Sequence, residues 1–446
     1  MTTAVRRAGA FALVGAGALT IPIVQRQFSP AVATIVGTGP FLLLAVAALR
    51  FVSSGVLFEL FARPGDRRDG RLYGLAGFSL SIAALGLLAL QFDMPVVVPV
   101  TAAFVLSAGN LGGQIAHNLG ADPIGATAGF VTVGFCAGIL GQLATAVIVG
   151  AGAVFPVVVF LAASAALLGA LLRSVLFERD DPLVIVSIGL LVWLFADLSI
   201  SITTTGIAVA LAITVALGYA SYALETASLP GMLTGVLLSL LTIVIGDYGW
   251  FAMLITFFGG GGLASKFKYE EKVARGIAQE NDGARGSENV LANSLVALGA
   301  VLAAAASPHL TTVSPDVFLF VFAGSVAAAM SDTLSSEFGG LFDSPRLITS
   351  FERVEPGTDG GVTWQGELAG LAGAAIIAAI ALLAFDRVEM AGAAIIVTSG
   401  FVGMTVDSVF GALFEGRYLS NQGVNLLATF VAGAAGGVLA LAIGLV

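Results

Sequence analysis

The chain reads as an all-α, polytopic membrane protein of about fifteen transmembrane helices. Of its 446 residues 58% are hydrophobic and 11% charged, at a mean hydropathy of +1.00. That leaves too little polar side chain to clothe a soluble globule of this size. Apolar stretches of about 17 to 25 residues recur from end to end, the length a helix needs to cross a hydrocarbon core about 30 Å thick. Most of the basic residues gather in a few loops between these stretches.

The first apolar segment, 8–24, follows Arg6 and Arg7. Its flank resembles that of a signal peptide, but no convincing small-residue cleavage site precedes the next span, so it reads as a retained first helix. Segment 31–61 is too long for one simple helix. Further spans are predicted over 72–90, 94–113, 125–149, 152–172, 183–200 and 204–222. A polar break over 223–230, containing Glu225, Thr226, Ser228 and Pro230, divides an N-terminal membrane domain (1–225) from a C-terminal one (226–446). The second domain continues with spans over 229–247, 249–263, 290–306, 315–333, 367–385, 389–410 and 424–444.

The two halves echo one another. Arg63-Pro64-Gly65-Asp66 leads into Leu72-Tyr73-Gly74-Leu75-Ala76-Gly77, as Glu355-Pro356-Gly357-Thr358-Asp359-Gly360-Gly361 leads into Glu367-Leu368-Ala369-Gly370. Two degenerate repeats are therefore expected, the first without the acids of the second.

A net charge of −9 excludes a nucleic-acid binder, which needs clustered Lys and Arg for phosphate contacts. Cys136 is the only cysteine, so no intrachain disulfide forms, and no Cys or His metal cluster exists in the sequence. One basic loop holds Arg63, Arg67, Arg68 and Arg71, another Lys266, Lys268, Lys272, Arg275 and Arg285. The positive-inside rule puts both on the cytoplasmic face of the cell membrane. An even number of spans separates them, and two more lead to each of the polar loops 340–366 and 413–423, so all the motif loops are expected on that face.

The second half carries acids that lipid makes costly. A charge deep in a bilayer costs roughly 2.5 to 3.5 kcal/mol even on lenient scales, which makes Asp332, Glu337 and Asp407 functional candidates. Asp332 shares a helical face with Ser335 and Ser336, while Glu337 points about 140° away. Gly357, Gly360 and Gly361 permit a tight, positive-φ backbone that aims amides at an anion, with Thr358 and Asp359 among them. Arg346, Arg353, Lys266 and Lys268 are candidate cations. Asn289 with Asn293, and Asn421 with Asn425, each place two amides four residues apart at a helix end. Carboxylates for Mg²⁺, backbone amides for phosphate oxygens and cations for charge balance are what phosphoryl chemistry asks for. Taken singly, each has a plainer reading: acids at span ends are often solvated, Gly-rich loops are often only turns, and amides often join helices. Glu59, Asp197 and Glu225 read as structural or interfacial, and His117 and His309 are given no role.

In order along the chain, Phe257-Phe258-Gly259 with Lys266-Phe267-Lys268, Asn289-Val290-Leu291-Ala292-Asn293, Ser331-Asp332-Thr333 with Ser336-Glu337-Phe338-Gly339, Pro345-Arg346-Leu347-Ile348-Thr349, Pro356 to Thr363, Asp407-Ser408 with Gly411, and Asn421 with Val424-Asn425 form seven separated motifs. Over about 229–446 they resemble a family of integral membrane proteins that includes the plant phytyl-phosphate kinase and the animal transmembrane protein 19. The first half is weakly similar to the dolichol and phytol kinase type, through Ser107 to Gly120 and Leu176 to Leu183. Where that type carries an Asp, Gly109 or Asn110 stands here, so the resemblance implies no separate active site in the first half.

The resemblance implies phosphorylation of an isoprenoid monophosphate lipid, such as phytyl or geranylgeranyl phosphate, to its diphosphate by a nucleoside triphosphate, CTP or ATP. On that expectation Asp332, Asp407 and Glu337 ligate Mg²⁺, Gly357 to Gly361 cradle phosphate, Asp359 assists metal or nucleotide, and Asn289, Asn293, Asn421 and Asn425 orient the head group. Two other readings stay open: a transporter or flippase of an anionic lipid or small solute, and a noncatalytic scaffold.

Overall fold

The computed structural model describes residues 3–176, 180–198, 200–225, 227–278, 286–310 and 313–446. Phe177, Glu178 and Arg179 of the Leu176–Leu183 motif, Thr226 of the polar break and Arg285 of the second basic loop lie outside the described residues. The chain divides into two units, Met1–Val209 and Ala210–Val446.

In the first unit α1 (Thr3–Ala16) runs through a short 3₁₀ turn into α2 (Thr20–Gln27). Then come α3 (Pro30–Arg50), α4 (Gly55–Phe61), α5 (Pro64–Asp69), α6 (Tyr73–Gln91), α7 (Val97–Asn118), α8 (Pro123–Val149), α9 (Phe155–Val175) and α10 (Asp181–Asp197). The overlong segment 31–61 resolves into α3 and α4, because Gly55 takes a left-handed φ of +84° after an extended Ser54. Helix α11 (Thr204–Ala223) bridges the division, and the second unit adds α12 (Leu229–Leu241), α13 (Tyr248–Lys266), α14 (Tyr269–Ala274), α15 (Ser287–Leu310), α16 (Pro315–Gly339), α17 (Trp364–Ala384), α18 (Met390–Phe414) and α19 (Asn421–Ala442).

Among the described residues thirteen helical stretches are long and apolar enough to cross a membrane. The other two expected spans are α10, with 17 residues, and α13, whose last turns hold Gly259 to Gly262 and end on Lys266. The protein is thus polytopic and all-α, apart from a ribbon in which β1 (Arg346–Leu347) pairs antiparallel with β2 (Gly361–Val362).

Side-chain caps fix several starts. Ser228 accepts from the Gly231 amide, Thr363 from Gly366 and Ser420 from Gly423, setting the entries of α12, α17 and α19. Such caps are worth about 1 kcal/mol each. Helix α16 forms the centre of the second unit, packed by α13, α15, α17, α18 and α19. Small residues let the backbones close up, as they do where helices meet in lipid. A Cβ at Gly403 of α18 would lie 2.3 Å from Ala328 Cβ on α16, and one at Gly370 of α17 would lie 2.9 Å from the Ser331 carbonyl oxygen. Toward the other end Trp250 meets Phe322 edge-on with ring centroids 4.8 Å apart.

Candidate functional site

The close approach of Gly403 to Ala328 fixes the register of two helices that run in the same direction, α16 and α18. One turn further along each, on the same face, stand Asp332 and Asp407. Their carboxyl groups lie close enough for their charges to interact. Asp407 is partly exposed as a residue, yet its Oδ1 is sealed from solvent without a hydrogen-bond partner. Two carboxylates in contact repel unless a proton or a cation lies between them.

The glycine-rich loop rests on the same end of α18. Gly360 has φ +75°, and a Cβ there would come within 2.5 Å of both the Ser408 carbonyl oxygen and Ala412 Cβ. Its backbone is laid against the helix turn that follows Asp407. Within the loop the Thr358 amide donates to the Glu355 carbonyl at 3.2 Å and the Gly361 amide to the Thr358 carbonyl at 2.8 Å. Those two amides serve the turn itself. Gly357, φ +83°, is flanked by Ile277.

Glu415, which follows α18 directly, lies within charge-interaction range of Asp359 and near Asn421. Burial first, and then the Asp359 charge, hold the Glu415 carboxyl above its ordinary value of 4.5, while the nearby Asn421 acts the other way. The Asn425 side-chain amide donates to Asn421 Oδ1 at 3.3 Å. Asn293 donates to the Asn289 carbonyl at 3.0 Å, leaving Asn289 Oδ1 buried without a partner. Thr429 Oγ1 donates to the Ala292 carbonyl at 3.5 Å, so the two asparagine-bearing helices α15 and α19 are neighbours.

Not every candidate joins this assembly. Glu337 Oε2 is bound by the Lys272 ammonium at 2.5 Å instead of turning toward the two aspartates, and its Oε1 is buried without a partner. Lys266 donates to the Leu224 carbonyl at 2.5 Å, and Lys268 pairs with Glu271 at 3.0 Å. Arg346 donates to the Phe351 carbonyl at 2.7 Å and stands across an isolated bridge from Arg353 on the exposed ribbon. Sequence reasoning overlooked Lys272 as a buried partner and Glu415 altogether. The first was hidden within a run of surface-like charges; the second stood eight residues beyond Asp407, where α18 could have been followed out to its end.

Among the described residues no group of three or more acids, histidines or cysteines is placed to hold a metal. Mg²⁺ does not require one, because it is commonly held by one or two carboxylates with substrate phosphates and water. Asp332 and Asp407, hard oxygen donors with one buried atom unsatisfied, fit that requirement.

The sequence profile described as integral membrane protein DUF92 matches residues 212–433, which include every residue of the assembly above. The chain is 37% identical over 211 residues to an uncharacterized membrane protein of Methanocaldococcus jannaschii, covering 46% of this chain and 82% of that one. An uncharacterized membrane protein of Synechocystis sp. is 30% identical over 198 residues, or 43% of this chain and 75% of the relative. Protein VTE6, chloroplastic, of Arabidopsis thaliana is 29% identical over 206 residues, covering 45% and 61%. No solved structure matches.

Proposed function

The chain belongs to the integral membrane protein family DUF92, and on that footing we propose that it is a nucleotide-dependent kinase converting an isoprenoid monophosphate to the diphosphate. The observation that carries this function is the Asp332–Asp407 pair, met by two parallel helices beside the Gly357–Gly361 loop, with Asp407 Oδ1 unsatisfied. Support also comes from the ordered motifs that resemble the family containing the plant phytyl-phosphate kinase.

In the proposed reaction an oxygen of the acceptor phosphate attacks the γ-phosphorus of CTP or ATP, the bridging bond to the β-phosphate breaks, and the nucleoside diphosphate leaves. The acceptor is already ionised, so no general base is needed. Asp332 and Asp407 would hold Mg²⁺, which when bound offsets charge on the phosphates. The loop's backbone and the amides of Asn289 and Asn421 orient the head group, and catalysis then consists of positioning and charge stabilisation. Glu337 is a positioning residue for the helix end, held by Lys272. The prenyl chain runs back between helices, with the head at the cytoplasmic face assigned by the basic loops.

Transfer of labelled phosphate from CTP or ATP to phytyl or geranylgeranyl monophosphate by purified protein in detergent tests this function. A Mg²⁺-dependent diphosphate is expected. No product, with either ligand still bound, would point to a transporter or flippase in its place.

A further inference from the structure

Three arginines of the first unit that this function leaves aside meet in one place. Arg7 on α1, Arg63 between α4 and α5, and Arg173 at the end of α9 line a cavity of about 40 Å³ together with Asn110 and Gln114, one turn apart on α7. A single water needs about 10 to 15 Å³ on the same measure, so the space admits a larger polar group. The guanidinium of Arg63 lies 5.1 Å from the Phe11 ring centroid, which fixes its orientation.

The charges on this wall are unevenly matched. Asp181, 1% exposed, is bound by Arg63 and, at 2.9 Å, by Arg173. The nearby Asp66 accepts from the backbone amides of Arg63 and Tyr73 at 3.0 and 2.9 Å. Arg7 donates to the Ala62 carbonyl at 3.2 Å and, among the described residues, has no carboxylate within ion-pair distance. It brings a positive charge into a partly desolvated wall with no acid of its own, an arrangement that costs free energy unless an anion completes it. Guanidinium forks match the oxygens of a phosphate, and the two carboxamides add neutral donors.

We propose that the first unit holds a second, metal-independent site for a phosphate monoester or phosphate ion, bound by Arg7, Arg63, Arg173, Asn110 and Gln114. It does not depend on the kinase function, since it uses none of the acids of the second unit.

The test is binding to the full-length protein in detergent with EDTA present, where the Asp332–Asp407 pair repels phosphate. Inorganic phosphate and phosphatidic acid in mixed micelles are titrated separately by calorimetry against wild type, Arg7→Gln and Gln114→Leu. Gln114→Leu touches no ion pair, so it keeps the test valid if Arg7→Gln fails to fold. Saturable binding of either probe, weakened about tenfold or more in Gln114→Leu, supports the site; inorganic phosphate binding identifies a free anion as sufficient, and phosphatidic acid alone identifies a lipid head group. Binding of neither probe, or binding unchanged in the folded variants, overturns it.

Discussion

Lys272 and Glu337 form an ion pair at 2.5 Å between side chains only 1% and 6% exposed. The ammonium also donates to the carbonyls of Ala264 at 2.7 Å and Ser265 at 3.4 Å, at the carboxyl end of α13, where the helix dipole favours a cation. The pair ties α13 and α14 to the end of α16, beside the turn that carries Asp332. Removing one member of a buried pair leaves a charge without compensation, at a cost of about 3 to 5 kcal/mol. Lys272→Met is therefore expected to lower stability by an amount in that range, and adding Glu337→Leu to recover most of it. Thermal unfolding of the two variants in detergent measures the difference.

Gly360 meets two demands at once, a φ of +75° and a backbone pressed against Ser408 and Ala412. Gly360→Ala is expected to lift the loop from α18 and reduce phosphate transfer at least tenfold. Gly416→Ala is the control: it has φ +69° but open space around it, so it carries only the conformational cost of about 1 kcal/mol. Comparing kcat/KM of the two separates loss of the loop's seat from simple backbone strain. Equal activity in both would remove the loop from the site.

The raised Glu415 carboxyl gives a signed pH dependence. The folded protein holds this proton more tightly than the unfolded chain does. The resulting stabilisation is complete below the ordinary value of 4.5 and is lost as pH rises through the folded-state value. Glu415→Gln, which keeps the side chain's size and removes its titration, is expected to flatten the fall in stability just above pH 4.5. Chemical unfolding across that window, wild type against variant, reads it directly.

Helix number and placement were legible because membrane thickness imposes a length that apolar runs must meet, and each of the fifteen expected spans has a helix. The 31–61 stretch was recognisable as too long, but only the backbone at Gly55 locates its break. The meeting of Asp332 with Asp407 followed from their positions near the ends of spans of equal parity. The small residues that draw those spans together, Ala328 and Gly403, are indistinguishable in sequence from dozens of others. Glu337 was grouped with the aspartates because it is near Asp332 in sequence. Its place 140° around the helix hands it to Lys272, a pairing that no local pattern encodes.

The most direct measurement is Mg²⁺-dependent phosphate transfer by wild type, Asp332→Asn and Asp407→Asn, each purified as a folded, monodisperse protein. Turnover in the wild type with a loss of about a thousandfold or more in each variant, at unchanged unfolding temperature, is expected if the two carboxylates hold the transferring phosphates' cation. Rates in both variants equal to wild type would contradict it.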